Sequence, residues 1–129
     1  MIHHVPSGYE PFDYVVALAR DTRSADDRAW AVAIGTATDA QALAVGVAAF
    51  GHSRLDDAVD AFARASTSAK RDIAANALYN KGVTLGVLGR SEEAIAVYDE
   101  LITRDGDRDE LALREVVARA RQSRTEAAT

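Results

Sequence analysis

The chain of 129 residues contains no cysteine. This absence excludes disulfide bonds, thiolate catalysis and thiolate metal sites together. The sequence also lacks a run of eighteen apolar residues, so we expect no membrane-spanning helix and no membrane partner. Its first residues have neither the basic head nor the apolar centre of a secretory signal, and we therefore expect a cytoplasmic protein.

Basic side chains are outnumbered by acidic ones, and the net charge is −5 at pH 7. This charge disfavours nonspecific attraction to nucleic acid, and we expect no nucleic-acid partner. Several arginines lie towards the C-terminal end of the sequence, but Asp109, Glu110 and Glu115 are interleaved with them. That mixture is typical of a solvated helix face.

Proline is scarce, with only two residues, whereas 48% of the chain is hydrophobic and 27% is charged. This composition is ordinary for a soluble globular protein of one domain, and a surplus of alanine favours helix. Alternation of apolar and polar residues with a period of two, the pattern of a half-buried strand, is absent. We therefore predict a single all-α domain.

Helix start and stop signals divide the sequence into about seven amphipathic segments. The predicted helices lie at about 11–21, 24–35, 38–51, 55–65, 69–88, 91–106 and 107–124. Their predicted N-terminal caps are Ser24, Thr38, Ser53, Ser91 and Asp107. We expect Gly89 to end the fifth helix in a left-handed conformation and Gly106 to end the sixth.

A shift of 36 residues aligns the third and fourth predicted helices with the fifth and sixth. The shift places Gly46 on Gly82, Ser53 on Gly89, Arg54 on Arg90, Ala58 on Ala94 and Phe62 on Tyr98. A glycine, an alanine twelve residues later and an aromatic residue four beyond it resemble the tetratricopeptide repeat, a helix-turn-helix unit of about 34 residues. The resemblance covers residues 39–106.

This resemblance implies a stack of two helical hairpins, a short α-solenoid. Within the second hairpin we expect Gly82 and Ala94 to make the closest contact, because only small residues allow helix axes to approach to about 8 Å. Tyr98 and Phe62 should then fill the gaps between neighbouring hairpins.

Flanking helices should cover the two ends of the stack. Residues 1–37 are predicted to form an N-terminal helical pair, and residues 107–124 a C-terminal capping helix. The segment 113–120 resembles 70–77 at a shift of 43, so the last helix is similar to the opening of a third repeat. One of its faces is apolar and the other charged, which suits an element that is buried on one side.

Residues that commonly carry catalysis or metal binding do not form a recognisable set. His3 and His4 are adjacent and have no third ligand nearby, and His52 has no acidic partner at a fixed spacing. Neighbouring acids at 26–27, 56–57 and 92–93 fall in the first turns of predicted helices. Negative charge at that end of a helix interacts favourably with the helix dipole. We therefore expect no enzymatic activity, no metal and no cofactor.

The function that the resemblance implies is protein–protein interaction. The first helices of such repeats line a groove that accepts a peptide or a partner helix. If Leu78, Gly82 and Leu85 face the partner helix of the hairpin, the opposite face of the fifth helix lines this groove. The candidate partner-binding residues are therefore Asn76, Tyr79, Asn80 and Val83, together with Leu43 and Val47 of the earlier copy.

Two other functions stay open at this point. The repeats could serve only as a structural or dimerisation module, or the chain could be a regulatory subunit that binds a small ligand between its helices. We expect a monomer or a weak homodimer that binds a protein or peptide. Light scattering would identify a dimerisation module, and a ligand-dependent melting shift would identify a small-ligand site.

Overall fold

The computed structural model describes residues 27–129, which form helices joined by short turns and contain no strand. This confirms the predicted all-α class. The helices of this part are α1 (Asp27–Thr36), α2 (Asp39–Gly51), α3 (Leu55–Ala65), α4 (Arg71–Val87), α5 (Ser91–Asp105) and α6 (Leu111–Ala128). The first predicted helix, at about 11–21, and the predicted cap Ser24 lie outside the described residues, as do His3 and His4.

The helices pack in chain order as two hairpins with a helix on each side. Helices α2 and α3 form the first hairpin, and α4 and α5 form the second, which lies against α3 through α4. Helix α1 packs on α3 and α2, while α6 packs on α5 and α4. The buried face of α6 carries Leu113, Val116, Val117 and Ala120, as the amphipathic pattern predicts. Trp30 of α1 is fully buried on the first hairpin.

Each hairpin is held together by an aromatic ring that lies directly on a glycine. A Cβ atom on Gly46 would come within 3.0 Å of the Phe62 ring, and one on Gly82 would come equally close to the Tyr98 ring. The prediction that Gly82 approaches Ala94 most closely is therefore wrong. The missing side chain makes room for the ring of the same hairpin, since a ring needs more space than an alanine methyl group.

The turns inside the two hairpins also match. Ser53 and Gly89 both have left-handed backbone, with φ values of 59° and 79°. The backbone N–H of the residue that follows each of them, Arg54 or Arg90, donates to the carbonyl five positions earlier, at 2.8 and 2.9 Å. Such bonds satisfy carbonyl groups that the end of a helix leaves without partners.

Three of the predicted helix caps do not form. Ser53 and Ser91 make no capping hydrogen bond, because Arg54 and Arg90 occupy the cap positions of α3 and α5. Asp107 is also not a cap, since the chain turns once more after Gly106 and α6 begins only at Leu111. By contrast, the predicted cap Thr38 of α2 is confirmed and belongs to a capping box: Thr38 Oγ1 accepts from the Gln41 N–H, and Gln41 Oε1 accepts from the Thr38 N–H.

Helix α6 is longer than predicted and continues to Ala128 instead of ending near Arg124. An ion pair between Arg124 and Asp99 of α5 joins its last turns to the second hairpin. The carboxylate raises the pKa of Arg124, so the guanidinium stays charged. Residues 125–128, which lie beyond the predicted end of this helix, are thus helical.

Candidate functional site

The first cleft lies between α2 and α4, the first helices of the two hairpins. It has a volume of about 210 Å³. Val47, Phe50, Phe62, Asn80, Val83 and Thr84 line it. The side chains of Val47 and Phe50 are 56% and 37% exposed, so two large apolar groups face solvent side by side. The ring of Phe62 reaches the cleft from α3, past the bare backbone of Gly46.

Half of the predicted partner-binding residues line this cleft. Val47, Asn80 and Val83 do so, although they come from two different helices. Leu43 is half-buried and packs against the core. Asn76 is engaged within its own helix, where its side-chain amide donates to the Asp72 carbonyl oxygen at 2.8 Å.

The two polar side chains of the first cleft differ in whether they can hydrogen-bond to a ligand. Thr84 donates its hydroxyl to the backbone carbonyl of Asn80 at 2.8 Å and is fully buried. The side-chain amide of Asn80 makes no hydrogen bond with any residue of the described part and is half-buried at the wall of the cleft. It can donate two hydrogen bonds and accept others. No charged side chain belongs to the lining.

Sequence reasoning missed three residues of the first cleft, namely Phe50, Phe62 and Thr84. Phe50 follows Val47 by three positions and Thr84 follows Asn80 by four, so the helical period alone could have found both. The sequence predicts only that Phe62 fills the gap between hairpins, because no sequence pattern indicates that its ring also reaches the open surface.

The second cleft lies between α4, α5 and α6 and has a volume of about 470 Å³. It is lined by Tyr79, Val83, Gly86, Val87, Ser91, Ala94, Tyr98, Ser123, Glu126 and Ala127. Tyr79, another predicted binding residue, is therefore placed here and not in the first cleft. Its ring centroid lies 6.2 Å from that of Tyr98, with an angle of 40° between the ring planes. Burial raises the pKa of Tyr98, and the charge of Glu126 adds to this shift.

Among residues 27–129, no three side chains of the metal-binding types come together. None of the six described helices combines the length and the hydropathy that a membrane span requires. His52 is half-buried, with its ring centroid 6.4 Å from that of Trp30. The paired acids Asp56/Asp57 and Glu92/Glu93 lie in the first turns of α3 and α5, as predicted.

Comparisons with known proteins add no relative. No protein-family model, no curated protein and no solved structure matches this chain. The resemblance to the tetratricopeptide repeat thus depends on the internal repeat of residues 39–106 and stays a prediction. We therefore infer a function from the geometry of the two clefts described above.

Proposed function

We propose that the chain is a non-enzymatic protein-interaction module that binds a peptide segment of a partner protein across the first cleft. One observation carries this proposal: the unengaged amide of Asn80 stands beside the exposed side chains of Val47 and Phe50. A peptide offers both matching groups, because each residue has a backbone N–H and C=O next to a side chain.

An apolar side chain of the partner would enter between Val47, Phe50 and Val83. Full burial of one such side chain contributes about 1.5–3 kcal/mol. The Asn80 amide would bond to the adjacent peptide group, so that this group is not buried without a partner. The lack of charge in the lining supports an apolar anchor, since burying an unpaired charge there would be costly.

The internal repeat supports the same role. If residues 39–106 are tetratricopeptide-like, the first cleft lies where the first helices of consecutive repeats face a common groove. Val47 and Asn80 are contributed by such helices in the two copies. The groove would then bind an extended peptide or one face of a helix, in agreement with the function that the resemblance implies.

The test is a selection of random dodecapeptides displayed on phage, using the full chain as bait. Selected peptides would be synthesised and titrated against the parent chain and against the Val47→Glu variant. We expect the substitution to lower affinity by at least about tenfold, because it puts a charge where the apolar anchor binds. The matched control is Leu111→Glu, which changes an exposed leucine on α6 that lines neither cleft.

Three results would contradict the proposal. Selected peptides could bind the Val47→Glu variant as well as the parent, which would place their site elsewhere. The selection could enrich no peptide at all. Light scattering could show a stable dimer that Val47→Glu dissociates, which would make the first cleft an interface between two copies of the chain.

A further inference from the structure

The two clefts are lined by equivalent residues of the internal repeat. At the shift of 36, Val47, Phe50 and Phe62 of the first cleft correspond to Val83, Gly86 and Tyr98 of the second. At the shift of 43, Asn80, Val83 and Thr84 correspond to Ser123, Glu126 and Ala127. Every residue that lines the first cleft therefore has a counterpart that lines the second. The second cleft repeats the first, one hairpin further along.

The second cleft has the same arrangement of lining positions as the first, but several of its side chains differ in chemistry. Gly86 stands where the first cleft has Phe50, and nothing lies within 4 Å of the position that its Cβ would occupy. This substitution removes an apolar wall and leaves the larger volume. Glu126 stands where the first cleft has Val83, so that a carboxylate replaces an aliphatic group. The second cleft is thus wider and more polar.

Glu126 is the single charged residue among those that line the second cleft. It accepts a hydrogen bond from Gln122 at 3.2 Å, and no cationic side chain of the described residues lies within ion-pair distance of it. The neighbouring Arg124 is already paired with Asp99. The carboxylate of Glu126 is therefore available to a cation from outside the chain.

Two tyrosine rings also line the second cleft. Tyr79 is half-buried and Tyr98 is buried, and their tilted rings meet at one wall. Aromatic faces attract ammonium and guanidinium groups, and the methylene stem of lysine or arginine packs well on aliphatic side chains. Val87, which is 58% exposed, provides such a surface in the same cleft.

We propose that the second cleft binds a lysine or arginine side chain of the same peptide whose apolar side chain enters the first cleft. This inference rests on the proposed function, and it adds a charge requirement to the partner. The cation would contact Glu126 and the face of Tyr79, and its stem would lie on Val83 and Val87. Val83 lines both clefts and would separate the two bound side chains.

The spacing of the helices sets the spacing of the two side chains in the peptide. Packed helices lie about 8–10 Å apart, and an extended peptide advances about 3.3 Å per residue. The cationic residue should therefore stand about three positions from the apolar anchor. A peptide in which the two are adjacent should not reach both clefts.

A small probe tests the second cleft by itself. Nα-acetylarginine methylamide would be titrated into the ¹⁵N-labelled full chain, with the neutral isostere Nα-acetylcitrulline methylamide as the comparison. We expect the arginine probe to shift the amide resonances of Tyr79 and Glu126, and Glu126→Gln to abolish the shift. The matched control is Glu115→Gln, which alters an exposed acid on α6 outside both clefts. Equal shifts with the citrulline probe would overturn the proposal.

The peptides from the selection on the first cleft give the second test. We expect Glu126→Gln to weaken a cationic peptide about five- to tenfold and to leave its citrulline-substituted form unchanged. If Val47→Glu lowers the affinity of the peptides but Glu126→Gln does not, the cation site is refuted while the proposed function stands. If no peptide depends on Val47, the proposed function fails, and the arginine probe alone decides whether the second cleft binds a cation.

Discussion

The two hairpins share their inner contacts and differ in the residues around them. Both have a ring on a glycine and a left-handed residue at the turn. The second hairpin, however, has leucines at positions 78 and 85, where the first has the much smaller Ala42 and Ala49. The contacts that bring the backbones together are thus conserved between the copies, whereas the filling of the core is not.

The first hairpin makes up the missing volume with a residue from outside the repeat. Trp30 of α1 belongs to the same buried cluster as Ala49, Ala58 and Phe62. The second hairpin fills its own core with Leu78, Leu85 and Leu101 and adds the buried face of α6. Among the described residues, the first copy thus takes a large side chain from outside the repeat where the second copy uses its own leucines.

The largest expected effect is that of Trp30→Ala. Truncation of a fully buried aromatic residue costs about 3–5 kcal/mol in the free energy of unfolding. We expect hydrogen exchange to speed up in α2 and α3 more than in α4 and α5, because only the first hairpin contacts this ring. Equal acceleration in both hairpins would show that the two copies unfold as one unit and would contradict this difference.

The glycines under the rings give the next effect. We expect Gly46→Ala and Gly82→Ala each to cost about 1–3 kcal/mol, since the new methyl group would overlap a buried ring. The matched control is Gly86→Ala in the same helix as Gly82, where the added methyl group meets nothing. Because alanine favours helix, the control should stabilise the chain by about 0.5–1 kcal/mol. Urea denaturation measures all three, and a stabilising Gly82→Ala would refute the ring contact.

The N-terminal caps distinguish the hairpins by a smaller amount. Thr38→Ala removes half of the capping box of α2 and should cost about 1 kcal/mol. Ser91→Ala in the second hairpin removes a hydroxyl that caps nothing, so its effect on the melting temperature should be small. If the two substitutions lowered the melting temperature equally, the caps of the two hairpins would be equivalent after all.

The turns give effects of about 1 kcal/mol or less, and here the two copies should respond in opposite directions. Ser53→Gly relieves a left-handed serine and should raise stability by about 0.5 kcal/mol, whereas Gly89→Ala should lower it by about 1 kcal/mol. Thermal melts of both variants check the signs. Stabilisation by Gly89→Ala would mean that this position is not left-handed in solution.

The sequence predicts the helices of residues 27–129 well, because their periodicity and length leave few alternatives. Helix ends are predicted less well. A serine before a helix is a cap only if the backbone places it one residue ahead of the first turn, and Ser53 instead lies in the left-handed turn. Polar side chains that suit a cap also suit such a turn, so residue type does not separate the two.

The candidate site was predicted in part for a related reason. The helical period indicates which face of α4 is open, and Asn80, Tyr79 and Val83 do lie at the clefts. The helical period does not indicate that this face is divided between two clefts. The division depends on the positions of α2 and α6 on either side of α4. It also does not tell that Asn76 bonds to its own helix while Asn80 stays unengaged.

That last difference provides the most direct test of the proposed binding site. The two asparagines lie one turn apart on α4, and a peptide selected on the full chain would be titrated by calorimetry against Asn80→Ala and Asn76→Ala. We expect Asn80→Ala to weaken binding by about ten- to thirtyfold, because it removes the free amide beside the apolar anchor, and Asn76→Ala to change it less than about twofold. Unchanged binding by a correctly folded Asn80→Ala variant, or a larger loss with Asn76→Ala, would contradict the account.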